Sequence, residues 1–154
     1  IITLLLDAFK GVVPVLLVRA YGKPLGLEEG TVALVALGAF LGHLYPVFFR
    51  FQGGKGVATF IGAVFAIHWG LGLATGASWL IIAFFFRYSS LASLVAAVFA
   101  PVYYLLGDRV AWYADARVVA ALFVMAGLLA WRHRENIGRL LAGNESRIGA
   151  KKSG

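Results

Sequence analysis

The chain lacks cysteine and has little charge. Its 154 residues contain no Cys, and only 14% of them are Asp, Glu, Lys or Arg. The absence of cysteine excludes disulfides, thiolate nucleophiles and thiolate metal sites. Soluble domains carry charge on about a quarter of their residues, so this composition is not that of an ordinary soluble domain. With 7 carboxylates and 3 scattered His, the chain is also a poor source of metal ligands, and we predict neither a metal nor a cofactor.

Apolar runs take the place of the missing charge. Hydrophobic residues make up 61% of the chain, and they recur along its whole length. We therefore predict a single integral membrane domain over residues 1–154, an all-α, polytopic bundle of about six transmembrane helices. A tight turn at Trp69–Gly72 is predicted to divide the third apolar segment from the fourth. The segments are Ile1–Val18, Thr31–Tyr45, Val57–Trp69, Leu71–Phe86, Leu91–Leu106 and Val118–Trp131.

The basic residues are distributed unevenly between the two sides of this topology. The side with the Gly42–Gly56 loop, the Arg87–Ser90 turn and the C-terminal tail carries nine cations, and the other side carries four. Membrane proteins keep such an excess in the cytoplasm, so we place the C-terminus and the polar motifs there. The aromatic residues lie in or beside apolar runs, which disfavours nucleic acid as a partner. The nine cations are Arg50, Lys55, Arg87, Arg132, Arg134, Arg139, Arg147, Lys151 and Lys152.

The densest polar chemistry lies between Gly42 and Thr59. His43 can exchange a proton near neutral pH, and Lys55 is a cation placed between Gly54 and Gly56. Glycines let a backbone close on a phosphate. The P-loop pattern does not fit, because it requires Ser or Thr in place of Gly56. The simpler alternative is a glycine-rich connection between membrane helices whose cations reach the lipid headgroups.

Three further segments place polar residues in or beside the apolar runs. Asp7 and Lys10 lie three residues apart, so a helix would put them on one face, as an ion pair for packing or as support for a site. The polar turn at residues 87–93 could serve only to cap a helix. In the tail, an apolar stripe at residues 137, 140 and 141 could lie on the membrane and be held by anionic lipid.

Two of these segments resemble motifs of a known family. Residues 42–59 contain Gly-His-x-x-Pro-Val-Phe and Phe-x-Gly-Gly-Lys-Gly-Val-Ala-Thr, and residues 132–145 read Arg-His-x-x-Asn-Ile-x-Arg-Leu-x-x-Gly-x-Glu. Both are similar to motifs of the bacterial acyl-phosphate:glycerol-3-phosphate acyltransferases, which are integral membrane enzymes. Asp-x-x-Lys-Gly at residue 7 and Arg-Tyr-x-Ser-Leu at residue 87 resemble further segments of that family. The family's first motif, Ser-Gly-Asn-x-Gly-Ala-Thr-Asn, and the helix before it would precede Ile1, so we expect the chain to be N-terminally incomplete.

The resemblance implies a site and a reaction. An acyl group would pass from acyl phosphate to the 1-hydroxyl of glycerol 3-phosphate, giving lysophosphatidic acid and phosphate at the cytoplasmic face of the bacterial inner membrane. The implied partners are these two substrates and membrane lipids. The implied catalytic residues are His43, Lys55, His133 and Asn136, with Asp7 and Lys10 in support. The implied substrate-binding residues are Gly53, Gly54, Gly56, Thr59, Arg87, Ser90, Arg139 and Glu145.

The sequence leaves the path of the proton open. Phosphate is a good leaving group, so the reaction requires no covalent enzyme intermediate, and the chain has no Gly-x-Ser-x-Gly motif. The hydroxyl proton could pass to a substrate phosphate oxygen, to His43 or to His133. A small transporter or channel is the alternative function. It predicts polar groups throughout the membrane depth and two similar halves, whereas the polar groups here gather on one side and no repeat is visible.

Overall fold

The computed structural model of the chain describes residues 2–150, and these residues form seven α-helices and no β-strand. The predicted all-α architecture is thereby confirmed. Two short 3-10 turns, Lys23–Leu25 and Val47–Phe49, lie in the connections. The helices are α1 (Ile2–Tyr21), α2 (Glu29–Leu44), α3 (Val57–Ile67), α4 (Trp69–Phe86), α5 (Ser89–Leu106), α6 (Ala116–Arg132) and α7 (Arg134–Leu141).

The helices differ in their capacity to cross a membrane. Residues 29–49, α4 and α5 are each long and apolar enough, and α6 with α7 is a fourth candidate if this pair, bent by 62°, is one span. Helix α1 has 20 residues but carries Asp7, Lys10 and Arg19, and α3 has only 11 residues. Each of the six predicted apolar segments nevertheless corresponds to one helix, from α1 to α6.

The predicted turn at Trp69–Gly72 is wrong in position. The chain breaks at His68, and Trp69 is already the first residue of α4. His68 has an extended backbone, and its Nδ1 accepts a hydrogen bond from the amide of Gly70 at 3.2 Å. This side-chain cap satisfies an amide that the first turn of a helix leaves free. The glycines after it are therefore accommodated within α4.

Helix α3 lies at the centre of the bundle, where it contacts α1, α2, α4 and α5. Its crossing with α1 is a backbone contact, because a Cβ on Gly11 would meet the carbonyl of Thr59 and a Cβ on Gly62 would meet Ala8. The hydroxyl of Thr59 donates to the backbone carbonyl of Asp7 at 2.8 Å. The crossing thus fixes the polar residues of α1 beside the start of α3.

The connections between helices alternate between two ends of the bundle. The Lys55 end comprises residues 45–56, residues 87–88 and residues 133–150. The Trp112 end comprises residues 22–28, His68 and residues 107–115. The three segments predicted to form the site all reach the Lys55 end. Two cations assigned to that side, Lys151 and Lys152, lie outside the described residues.

Candidate active site

A glycine-rich loop presents Lys55 just before α3. Gly56 has a φ of +83°, in the left-handed region that favours glycine, and a Cβ there would meet Phe40 and Leu44. A Cβ on Gly53 would meet the backbone at the end of α2. The loop is therefore packed directly against α2. Lys55 carries the only side chain among residues 53–56, and it is exposed.

Lys55 begins a hydrogen-bonded network that joins three segments of the chain. Its Nζ donates to Oδ1 of Asn136 at 2.6 Å, and Nδ2 of Asn136 donates to Oε1 of Glu145 at 2.6 Å. This orientation of the amide is required, because a lysine only donates and a carboxylate only accepts. Ser90 donates to Oε1 of Glu145 at 2.6 Å, and Arg139 donates to its Oε2 at 2.7 Å. The predicted convergence of the Gly42–Thr59 loop, the α4–α5 turn and the tail is therefore observed.

Glu145 is the acceptor at the centre of this network. Only 6% of its side chain is exposed. Burial opposes its charged form, but the hydrogen bonds from Ser90, Asn136 and Arg139 outweigh that effect and lower the pKa of Glu145 to about 2. Glu145 is therefore a carboxylate at neutral pH. It fixes Asn136, which in turn fixes the ammonium of Lys55.

His133 lies at the bend between α6 and α7 and is 2% exposed. Its Nδ1 is 2.8 Å from the carbonyl oxygen of Leu129. A carbonyl can only accept, so Nδ1 carries a proton and, in the neutral imidazole, Nε2 has a free lone pair. This geometry leaves Nε2 as a nitrogen that could accept a proton.

A second polar cluster forms where α1, α2 and the loop meet. Asp7 accepts a hydrogen bond from Lys10 at 2.8 Å, and its carboxylate lies 3.5 Å from Nδ1 of His43. A Cβ on Gly54 would lie 2.6 Å from Nε2 of His43, so only a glycine lets the loop approach the imidazole this closely. A cavity of about 430 Å³ opens here. It is lined by Lys10, Ala39, Gly42, His43, Pro46, Phe49, Gln52, Gly53 and Gly54.

Arg132 connects the two clusters, although no role was predicted for it. It is the last residue of α6, and its guanidinium donates to the carbonyl oxygens of Gly53 at 2.7 Å and Gly54 at 3.2 Å. Its Cζ also lies 5.7 Å from the ring centre of Tyr45. The sequence contained one signal for it, since Arg132 opens the same Arg-His-x-x-Asn motif that contains His133.

Arg87 is the predicted site residue whose contacts differ most from its predicted role in binding substrate. It ends α4 with a φ of +61°, and its guanidinium donates to the carbonyl of Ile148 at 2.8 Å and 3.2 Å. The amide of Ile148 donates back to the carbonyl of Arg87 at 2.6 Å. Arg147 adds a hydrogen bond to the hydroxyl of Tyr88 at 3.1 Å. These contacts attach the tail to the α4–α5 turn immediately after Glu145.

The predicted site residues therefore divide by environment. Thr59 is fully buried and its hydroxyl is committed to α1, so it acts on the site through Asp7 in this structure. Within residues 2–150, no three His, Asp or Glu side chains cluster as metal ligands would. A cavity of about 600 Å³ between α2 and α6 is lined by none of the predicted site residues and opens near Arg117.

Comparison with known proteins places these features in a family. The family model described as Glycerol-3-phosphate acyltransferase matches residues 1–143. The glycerol-3-phosphate acyltransferase of Albidiferax ferrireducens is 65% identical over 151 residues, which are 98% of this chain and 67% of that protein. The enzyme of the same name from Bordetella petrii is 64% identical over 151 residues, covering 98% of this chain and 70% of that protein.

Two solved structures have the same fold. Crystal structures of PlsY (YgiH), described as an integral membrane glycerol 3-phosphate acyltransferase, match in a glycerol 3-phosphate form and in a lysophosphatidic acid form. Each has a TM-score of 0.86 and 38% sequence identity and covers 96% of this chain. The matched part is 70% of the PlsY chain in the first form and 71% in the second.

Proposed function

The chain belongs to the glycerol-3-phosphate acyltransferase family, and we propose that it transfers an acyl group from acyl phosphate to the 1-hydroxyl of glycerol 3-phosphate. The products are lysophosphatidic acid and inorganic phosphate. Both substrates carry a phosphate group, so the site must hold two anionic groups close together. The Lys55 end of the bundle supplies cations for this purpose.

The observation that carries the proposal is the state of those cations. Lys55 has three N–H donors, and the described residues engage one of them, through Asn136. Arg132 and Arg87 donate to backbone carbonyls, which carry no net charge. Their positive charges are therefore not neutralised by the contacts they make. A phosphate that enters this end meets positive potential and free donors together.

The chemical step requires a nucleophile, a leaving group and stabilisation of the developing negative charge. The hydroxyl oxygen attacks the acyl carbon, and the bond between that carbon and the phosphate oxygen breaks with its electron pair on phosphate. Lys55 can stabilise the charge on the leaving phosphate, because its ammonium is already held in place by Asn136. Asn136 retains one free N–H that could orient the attacking hydroxyl.

The structure narrows the choice of proton acceptor to three groups with distinct geometry. His133 presents Nε2 as a lone pair, because Nδ1 is bound to Leu129. His43 has Asp7 beside Nδ1 and the loop beside Nε2. A phosphate oxygen of the substrate is the third acceptor and needs no side chain. A variant series separates them, because a histidine base gives a rate that falls below its pKa and is lost on substitution.

We place the Lys55 end in the cytoplasm. Its described residues contain Arg50, Lys55, Arg87, Arg132, Arg134, Arg139 and Arg147. The described residues of the other end contain four cations, Arg19, Lys23, Arg109 and Arg117. The positive-inside rule assigns the richer side to the cytoplasm, where both water-soluble phosphates and a membrane-borne acyl chain can reach the site.

The test is direct assay of the protein with defined donors. Protein in detergent or in vesicles is incubated with glycerol 3-phosphate and with acyl phosphate, acyl-CoA or acylated carrier protein as separate donors. We expect lysophosphatidic acid from acyl phosphate alone. Lys55→Ala, at matched abundance, serves as the inactive control. Turnover with acyl-CoA in the absence of acyl phosphate would show that the donor is wrong.

A further inference from the structure

Arg132 binds two consecutive carbonyls of the glycine loop. Its Nη2 donates to the oxygen of Gly53 at 2.7 Å and its Nε donates to the oxygen of Gly54 at 3.2 Å. A guanidinium presents such donors in a rigid, planar fork, so it fixes the two carbonyls relative to each other. Because Arg132 ends α6, it ties the loop to the helix that leads into His133.

The orientation of these carbonyls determines where the next amides point. In a trans peptide the C=O of one residue and the N–H of the next point in opposite directions, and no cis peptide occurs in the described residues. The N–H groups of Gly54 and Lys55 therefore point away from Arg132. Neither of them donates to a backbone acceptor within residues 2–150. Both residues are exposed.

We propose that Arg132 is a positioning residue that turns the amide N–H groups of Gly54 and Lys55 toward the phosphate group of a substrate. This inference rests on the proposed function. Consecutive free amides beside a cation form a concave anion site. The glycines by themselves would leave those amides free to rotate, because glycine populates many backbone conformations. The guanidinium removes that freedom before substrate arrives.

The first test measures the order of the loop without substrate. Hydrogen exchange is followed at residues 53–56 in wild type, Arg132→Gln and Arg134→Gln. Arg134 is the matched control, because it is an exposed arginine on the same turn that lies over Trp131 and donates only to its carbonyl, at 3.4 Å. We expect faster exchange at residues 53–56 in Arg132→Gln and no change in Arg134→Gln. Equal exchange in all three proteins would overturn the proposal.

The second test measures which substrate the amides hold. The KM values for glycerol 3-phosphate and for acyl phosphate are determined separately in each variant. We expect one of them to rise about tenfold or more in Arg132→Gln, which corresponds to the loss of hydrogen bonds to a charged group. The substrate whose KM rises is the one the loop holds. Arg134→Gln removes the same charge and is expected to leave both values unchanged.

The conservative variant Arg132→Lys separates positioning from charge. A lysine keeps the positive charge but is a point donor that does not fix two carbonyls in one plane. We expect Arg132→Lys to raise the same KM by less than Arg132→Gln does, and to give intermediate exchange. Full rescue of both KM and exchange by lysine would overturn the fork geometry proposed here. Faster exchange with both KM values unchanged would overturn the assignment of the amides to phosphate.

A failure of the proposed function is distinguishable from a failure of this inference. If wild-type protein transferred no acyl group from any phosphate donor, the proposed reaction would fall. The exchange experiment would still decide whether Arg132 orders the loop, because it requires no substrate.

Discussion

The two ends of the bundle treat their charges differently. At the Trp112 end, Arg19 pairs with Glu29 at 3.0 Å, and Arg117 pairs with Asp115 at 2.8 Å and with Glu28 at 3.2 Å. Each of these carboxylates has a basic partner. At the Lys55 end most cations meet neutral oxygens of carbonyls, an amide or a hydroxyl instead. One end is therefore electrostatically closed, and the other keeps positive charge available for an anion.

The comparison teaches that the number of ion pairs does not identify a site. Exposed ion pairs contribute little to stability, because water and salt screen them. Cations held by neutral acceptors are fixed in position and retain their full attraction for phosphate. The carboxylate with the most hydrogen bonds at the Lys55 end, Glu145, serves to hold other donors in place.

Replacement of Lys55 should break the Lys55 end with the largest effect. We expect Lys55→Ala to lower turnover by about 10²–10³, the typical cost of losing one preorganised electrostatic donor. Lys55→Arg should be strongly impaired, since its broad fork must fit between Gly54 and Gly56. Turnover is measured at matched membrane abundance. Lys23→Ala, at the Trp112 end, is the control and should be unaffected; wild-type turnover by Lys55→Arg would exclude Lys55 from the site.

Alanine substitution of one glycine at each end should separate activity from stability. In Gly53→Ala the new Cβ meets the backbone at the end of α2, so the loop must move, and we expect turnover to fall by about tenfold or more. In Gly107→Ala the new Cβ meets the ring of Trp112, far from the predicted site. We expect Gly107→Ala to lower the thermal midpoint and to leave the turnover of folded protein unchanged. Equal loss of turnover in both variants would erase the distinction between the ends.

The pH dependence of stability should sharpen the role of Glu145. Its pKa falls from an ordinary value of 4.5 to about 2 in the folded protein. A lowered pKa means that the carboxylate adds stability above its unfolded value and that this contribution is lost as pH falls through its folded value. Glu145→Gln should therefore lower the thermal midpoint at pH 7, and the difference from wild type should shrink between pH 4.5 and pH 2. A difference that does not change with pH would show that the charge of Glu145 is not what stabilises the network.

The smallest effect is expected from a charge at the Trp112 end. Asp115 caps α6 through the amide of Arg117 and pairs with its guanidinium. An asparagine still caps a helix, so Asp115→Asn should leave turnover within about twofold of wild type, as a surface substitution usually does. Parallel assays of Asp115→Asn and Lys55→Ala measure the contrast between the two ends. A large loss in Asp115→Asn would show that the Trp112 end also contributes to the reaction.

The sequence by itself determined the helices and the segments that carry polar chemistry. Apolar runs are local, so each of the six predicted segments corresponds to a helix, and the motifs at residues 42–59 and 132–145 can be read without coordinates. The position of the break at His68 was missed, because glycines suggested a turn where an imidazole cap lets the helix begin one residue later. That cap is a local contact, but its effect depends on the rotamer of one side chain.

Only the tertiary structure decided which polar groups share a network. Asn136 and Lys55 are 81 residues apart in sequence, and Arg132 and Gly53 are 79 apart. The angle at which helices cross places these atoms, and that angle depends on backbone contacts such as those of Gly11 and Gly62. The same packing attaches Arg87 to the tail at Ile148. A motif identifies residues that carry chemistry, but the partner of each donor follows from long-range packing, because a hydrogen bond requires placement to within a few tenths of an ångström.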